Sequence, residues 1–395
     1  MKNKIRYLFG TIFSKIMQNK IAFVTATCFF SLAIVSLYLA SYFAHSSPIY
    51  RIENEDDLDL VREHPDSSFI ITKQNISITK PWIPIGTKDK PFKGTFNGLV
   101  DGRKCTFNFK EESVQLHKEN GKCYFGLFGY NEGTIKNIQV YSNNKYTISE
   151  VDSSPIDVGM IAAYNKGSIS NCFVGGGLSF DIDSHGDICA GVISSSGGGN
   201  YMALNASSVF FNCSSDSSIT FGSISGVINK DSYFDRCSIS GTINVKANKL
   251  CYLSSMVGIV ENGKNAHFDN CKAASSLESN STCSGFVARN DGNVLIEHSY
   301  TKCSYDSENG FGVVEINNGS LKINDTYSNS FSLNTKRIFA FSNASAVTSN
   351  LYYSVNSFVD SDFGIAKNFY EITLEALNWD NKIWDKSLTD FIIKY

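Results

Sequence analysis

The chain has 395 residues, 42% hydrophobic and 18% charged, with a net charge of −3. That is enough apolar material for a large core, and the basic residues beyond residue 20 are scattered, without the stripe that nucleic-acid binding requires. Asn, Ser and Gly are abundant and Pro is scarce, a composition suited to many short strands joined by tight turns.

Residues 1–20 place Ile5, Leu8, Phe9, Ile12, Phe13 and Ile16 on one helical face, with Lys and Arg elsewhere. Two readings stay open: a basic amphipathic helix on the inner membrane surface, or simply a positive flank. The run 21–44 carries no charge and is long enough to span a bilayer. Lys2, Lys4, Arg6, Lys15 and Lys20 precede it, and Glu53, Glu55, Asp56 and Asp57 follow. That asymmetry predicts a single-pass signal anchor with a cytoplasmic N-terminus and an extracytoplasmic remainder at the cell surface. A cleaved signal peptide is the alternative, but the run is long and no A-x-A site follows.

Residues 48–125 read as a cap with the first repeats: a strand, a short acidic helix with Leu58, Leu60 and Val61 capped by Asn54 or Asp56, then further strands. From Gly126 to about residue 362 the chain repeats itself. "GLFGYNEGTIKNIQV" is followed by related copies in which a glycine opens an apolar strand at 126, 159, 191, 226, 258, 285 and 312. The copies span 27 to 35 residues and contain β-patterned bursts parted by turns such as Glu132-Gly133, Lys166-Gly167 and Asp291-Gly292. Short strands at this period predict an all-β, right-handed parallel β-helix, one repeat per coil. The residues two after each glycine (Phe128, Ile161, Ile193, Ile228, Val260, Val287 and Val314) are expected to form one inward stack. Cys172, Cys213, Cys237 and Cys271 are expected at one position of successive coils, continued by Ser299 and Thr326, with Cys123, Cys189 and Cys283 as a second series. Both series read as packed thiols, disulfides between rungs being the alternative. Residues 363–395, with Leu374, Leu377, Trp379, Ile383 and Trp384, are expected to fold as a short helix and a strand capping the last coil.

The run Pro84-Ile85-Gly86, Pro91-Phe92, Gly94-Thr95-Phe96-Asn97-Gly98, followed by Gly126 to Asn137, resembles the GLUG-repeat family of bacterial surface proteins. That family includes adhesins and the non-catalytic repeat regions of IgA-protease-type proteins. The resemblance spans roughly residues 48–385 and fades after about residue 140. Asn97 stands where Asp is usual. It implies a β-helix at the cell surface.

The catalytic inventory is thin. Carboxylates that could work in a polysaccharide lyase or hydrolase are Asp181 and Asp183, two apart on a strand, with Asp360, Asp362 and Arg289 elsewhere. The His residues 45, 64, 117, 185, 267 and 298 form no HExxH, no CxxC occurs, and Ser194 to Gly199 lacks the strand–turn–helix setting of a nucleophile elbow. Seven N-x-[ST] sequons are about what chance supplies. No active site, cofactor or metal centre is expected. The expected function is adhesion or the binding of a glycan or protein ligand. A polysaccharide-degrading enzyme and a structural subunit of an envelope complex are the alternatives. Tyr300, Tyr305, Tyr327, Tyr352 and Tyr353 are the expected ligand contacts, as aromatics clustered in the last coils.

Overall fold

The computed structural model describes residues 14–15, 31, 33–34, 48–150, 152–307, 309–332, 337–339, 346–354, 365–388 and 390–395. They divide into two compact units, Met1–Pro48 and Ile49–Tyr395. In the first, Ser14, Lys15, Ser31, Ala33 and Ile34 are helical. The remainder of the expected surface helix and of the span 21–44 lies outside the described residues. Among the described residues, no helix is long and apolar enough to cross a membrane.

One coil of the second unit shows how the rest is built. Its strands are Ile156–Gly159, Ala162–Asn165, Ser168–Ser170, Phe173–Gly175 and Ser179–Ser184, here numbered faces 1 to 5. Each pairs in parallel with its counterpart one coil before and one coil after: Val158 stands between Phe125 and Ala190, and Phe180 between Tyr146 and Phe211. Equivalent residues are 33 apart at Phe125 and Val158 and 27 apart at Cys283 and Gly310. About seven such turns make an all-β parallel β-solenoid, with rungs spaced about 4.8 Å.

Face 5 alternates cleanly, Phe180 and Ile182 inward with Ser179, Asp181 and Asp183 outward, as expected of a sheet with one wet side. Between faces 2 and 3, buried Asn side chains hold the corner. The Asn131 amide donates to Asn165 Oδ1 at 2.6 Å, and Asn290 to Asn317 Oδ1 at 2.7 Å, while Asn131 and Asn290 each accept the N–H two residues on. That N–H belongs to a glycine for a steric reason. A Cβ on Gly167 would lie 2.0 Å from the Gly133 carbonyl oxygen, and one on Gly319 1.9 Å from that of Gly292. Between faces 3 and 4 one left-handed residue recurs in successive coils from Asn137 onward: Asn137, Asn171, Ala203, Arg236, Asn270, His298, Asp325 and Asn350, all with φ between 46° and 59°. Asn and Asp tolerate that backbone best, which accounts for the Asn so often found before the Cys position.

The register corrects two expected alignments. All seven residues of the proposed inward stack are buried, but they occupy three columns. Phe128, Val287 and Val314 align with Ala162, Ser194, Ser225 and Val257; Ile161 and Ile193 stand one place earlier; Ile228 and Val260 continue the Asn131–Asn165 column. Glycine recurs at more than one corner per coil, so a fixed offset from the nearest one drifts. Likewise Cys172, Cys237 and Cys271 share a column with Ser299 and Thr326, but Cys213 lies inward on face 5 between Ile182 and Val245. The Cys123, Cys189 and Cys283 series also falls on three separate columns. The ten described cysteines are free thiols, and all but Cys189 are fully buried.

The second position of face 2 packs against outward side chains of face 1 and is small in six coils: Gly129, Ala163, Ser195, Gly226, Gly258 and Ala288. In the next coil that position is Glu315, buried at 6% exposure.

Helix α1 (Leu58–Glu63) buries Leu58 and Val61 against the first coil, and the Asn54 carboxamide accepts the N–H of Asp56 and Asp57 at its start. The C-terminal segment departs from expectation. It forms a 3-10 turn (Phe369–Glu371) and an antiparallel pair (Trp384–Lys386 with Phe391–Ile393), and its described residues lie along the side of the solenoid. Trp379 Nε1 donates to the Asp325 carbonyl at 2.6 Å, Trp384 Nε1 to Asn270 Oδ1 at 3.1 Å, Lys272 meets Asp390 at 2.6 Å, and Tyr395 reaches the Leu204 carbonyl. The segment is therefore a strap running back over face 4. Its Phe391 packs edge-on to Tyr300 and Tyr327.

Candidate functional site

The expected tyrosine contacts do not present a surface. Tyr305 sits on the inward side of face 5 opposite Leu277 and donates to the Phe311 carbonyl at 2.8 Å, and Tyr353 is likewise in the core. Tyr300, Tyr327 and Tyr352 do point away from the core, as their parity demands, but the strap covers the first two and half-buries the third. The chain supplies its own cover for that aromatic column.

Asp181 and Asp183 share the outward side of face 5, as two-residue spacing on a strand predicts. Stacking brings residues from neighbouring coils beside them. Thr147, Asp181, Asn212, Asn244 and Glu278 form one outward row; Ser149, Asp183, Ser214 and Lys246 form the next. Most of these side chains line a shallow groove of about 400 Å³. The Asn212 amide donates to Asp181 Oδ1 and the Ser214 hydroxyl to Asp183 Oδ1, both at 2.7 Å, and Lys145 meets Asp181 at 2.5 Å. Partial burial opposes ionisation of Asp181, but the Lys145 ammonium and the Asn212 amide outweigh it and hold the carboxyl below its usual value. An acid kept ionised accepts hydrogen bonds; it has no proton to give a leaving group at neutral pH.

The other candidates are engaged elsewhere. Arg289 is held by Asp291 at 2.8 Å and by the Tyr252 hydroxyl at 2.9 Å. Asp360 and Asp362 lie outside the described residues. A further cluster escaped the sequence reading: Asp235, Asp269 and Glu297 stand in one outward column of face 3 on three successive coils. His298 Nδ1 meets Asp269 at 2.8 Å, His267 Nε2 meets Glu297 at 3.0 Å, and Arg236 meets Asp235 at 2.9 Å. The Asp269 hydrogen bond raises the His298 pKa despite half-burial. Each carboxylate has a donor beside it, and the two histidine contacts tie neighbouring coils together. Its sequence signal was the acid two residues before each position of the Cys column: "DRC", "DNC", "EHS". Among the described residues, no group of three or more His, Cys, Asp or Glu is placed to hold a metal ion.

Fold and groove together define a class: a parallel β-solenoid with an outward polar ladder on one lateral sheet. No protein-family model matches the chain, and no curated protein matches it. Among solved structures it is similar to a candidate immunoglobulin A1 protease from Bacteroides ovatus, at 16% identity and a TM-score of 0.41, over 87% of this chain and 92% of that one. So distant a likeness says nothing of activity. The GLUG resemblance rests on the motifs quoted above, and the architecture on the register.

Proposed function

We propose that this protein is a membrane-anchored, extracytoplasmic binding solenoid of the GLUG-repeat type that holds an extended glycan or protein ligand along face 5 and catalyses no reaction on it. The observation that supports binding is the face 5 groove, where acceptors and donors from four adjacent coils stand in two outward rows and the Asp181 carboxylate is held ionised. Solenoids present long repeated surfaces of this kind to extended partners. The uncharged run 21–44 and its Lys-rich flank support the anchor and the outward orientation of the repeats.

The test incubates the full-length chain with a panel of polysaccharides and with surface-protein extracts, following retention and product release together. Retention on at least one ligand, lost in the double variant Asp181→Lys, Asp183→Lys, is the expected result. Steady release of reducing or unsaturated ends, abolished by Asp181→Ala or Asp183→Ala, would replace binding by catalysis.

A further inference from the structure

On face 5 the described outward positions from Lys145 to Asp306 are polar with one exception. Phe210, 44% exposed, stands between Ser179 and Thr242 and two residues from Asn212 on the same side of its strand. Its neighbour Phe211 is inward and stacks on Phe180 at 5.3 Å, so Phe210 is not needed to fill the core. A single exposed ring at the margin of a row of carboxylate–amide and carboxylate–hydroxyl pairs is an unusual placement. An apolar face beside a few convergent polar groups is how small polar ligands are oriented. From these features we infer that face 5 is a subsite for an uncharged glycan, with Phe210 stacking on a sugar ring and the Asp181–Asn212 and Asp183–Ser214 pairs bonding its hydroxyls.

The chemistry selects that class over its rivals. A sugar hydroxyl both donates and accepts, and a carboxylate beside an amide or hydroxyl offers both partners within reach. An acidic polymer meets the wrong charge: the described outward positions of face 5 hold Asp181, Asp183, Glu278 and Asp306 against Lys145 and Lys246, and both lysines already face carboxylates. A peptide adding as a strand needs a free edge, but the groove's central strands, Ser179–Ser184 and Phe210–Ser215, are paired on both sides. The rungs repeat at about 4.8 Å along the axis, so a polymer laid across them meets like contacts in succession.

This inference rests on the binding reading of the same groove, and the experiment separates the two. The full-length chain and its Phe210→Ala and Asn212→Asp variants are titrated with three neutral polymers (a mannan, a β-1,3-glucan and a galactan) and with polygalacturonate, by affinity electrophoresis. Far-ultraviolet circular dichroism checks that each variant keeps its sheet. The expected result is retention by at least one neutral polymer, weakened about tenfold in Phe210→Ala, the loss of one aromatic contact. Asn212→Asp, which adds a carboxylate beside Asp181, should weaken it also. Retention by polygalacturonate that depends on Phe210 would overturn the ligand class and keep the groove. Neutral-polymer binding indifferent to Phe210 and Asn212 would overturn the subsite. A protein ligand held through Asp181 and Asp183, with no polysaccharide retained, would overturn the inference and leave the binding reading standing. Retention of nothing would overturn both.

Discussion

Replacing Glu315 by Gln should stabilise the protein in a strictly pH-dependent way. Glu315 occupies a column otherwise filled by small residues. One of its carboxyl oxygens is bonded by the Thr282 hydroxyl, and Oε2 has no hydrogen-bond partner. Burial raises its pKa from 4.5 to about 7. Because the folded protein favours the protonated form, no stability is lost below pH 4.5. Stability then falls as pH rises through the window up to about 7, where the unfolded chain ionises freely and the folded one does not. A shift of that size corresponds to about 3 kcal/mol at about 1.4 kcal/mol per pH unit. Gln has the same shape and no charge, so its advantage over Glu should be near zero at pH 4.5 and reach about 3 kcal/mol at pH 8. With an unfolding entropy of about 2.1 cal/mol/K per residue over the solenoid, that is a rise in Tm of about 4 °C. The nearby thiols do not confuse the measurement: burial pushes Cys251 up to about 11 and Cys283 well above its usual value, so both stay neutral throughout. Thermal unfolding of both proteins from pH 4.5 to 8.5 is the assay. A difference independent of pH would show that the carboxylate is hydrated in the folded state and that the position is more open than its packing implies.

Asn165→Ala removes the acceptor for the Asn131 amide and for Gly167 N–H, and should cost about 2–3 kcal/mol in denaturant unfolding; an unchanged midpoint would mean that water replaces the amide. Trp384→Ala removes a buried indole bonded to Asn270 and should cost about 3–5 kcal/mol, with limited proteolysis releasing the strap while the coils resist. Unaltered protease resistance would refute the strap's dependence on that contact. Protease added to intact cells should digest residues beyond 48 and spare an N-terminal tag; the opposite pattern would reverse the proposed topology.

The sequence made the architecture legible because its signals are local. Gly-flanked bursts at a steady period imply stacked coils, and Asp181 and Asp183 share a face through strand parity alone. Register was legible only in part. Gly126, Gly159 and Gly191 close face 1, but Gly226 and Gly258 stand four places further on, in face 2, and no single chain distinguishes the two without knowing which residue pairs with which. The groove's other walls, Asn212, Ser214 and Lys246, come from one and two coils further on, so an error in register hides them. The tyrosines failed for a different reason. Tyr305 and Tyr353 turn into the core, and Tyr300, Tyr327 and Tyr352 turn outward only to meet a strap that arrives from far along the sequence, whose docking place no local pattern announces.

That docking has a consequence for how the molecule forms. A coil needs only its predecessor to stack upon, so coils can assemble in order as the chain is made. The strap cannot. Lys272 waits 118 residues for Asp390, and the Leu204 carbonyl waits 191 for Tyr395. Until Phe391 emerges, Tyr300 and Tyr327 lack its cover, and a chain cut between residues 366 and 390 would leave them without it. Docking of the strap thus follows the stacking of the coils it covers, and its contacts reach back along face 4 as far as Leu204.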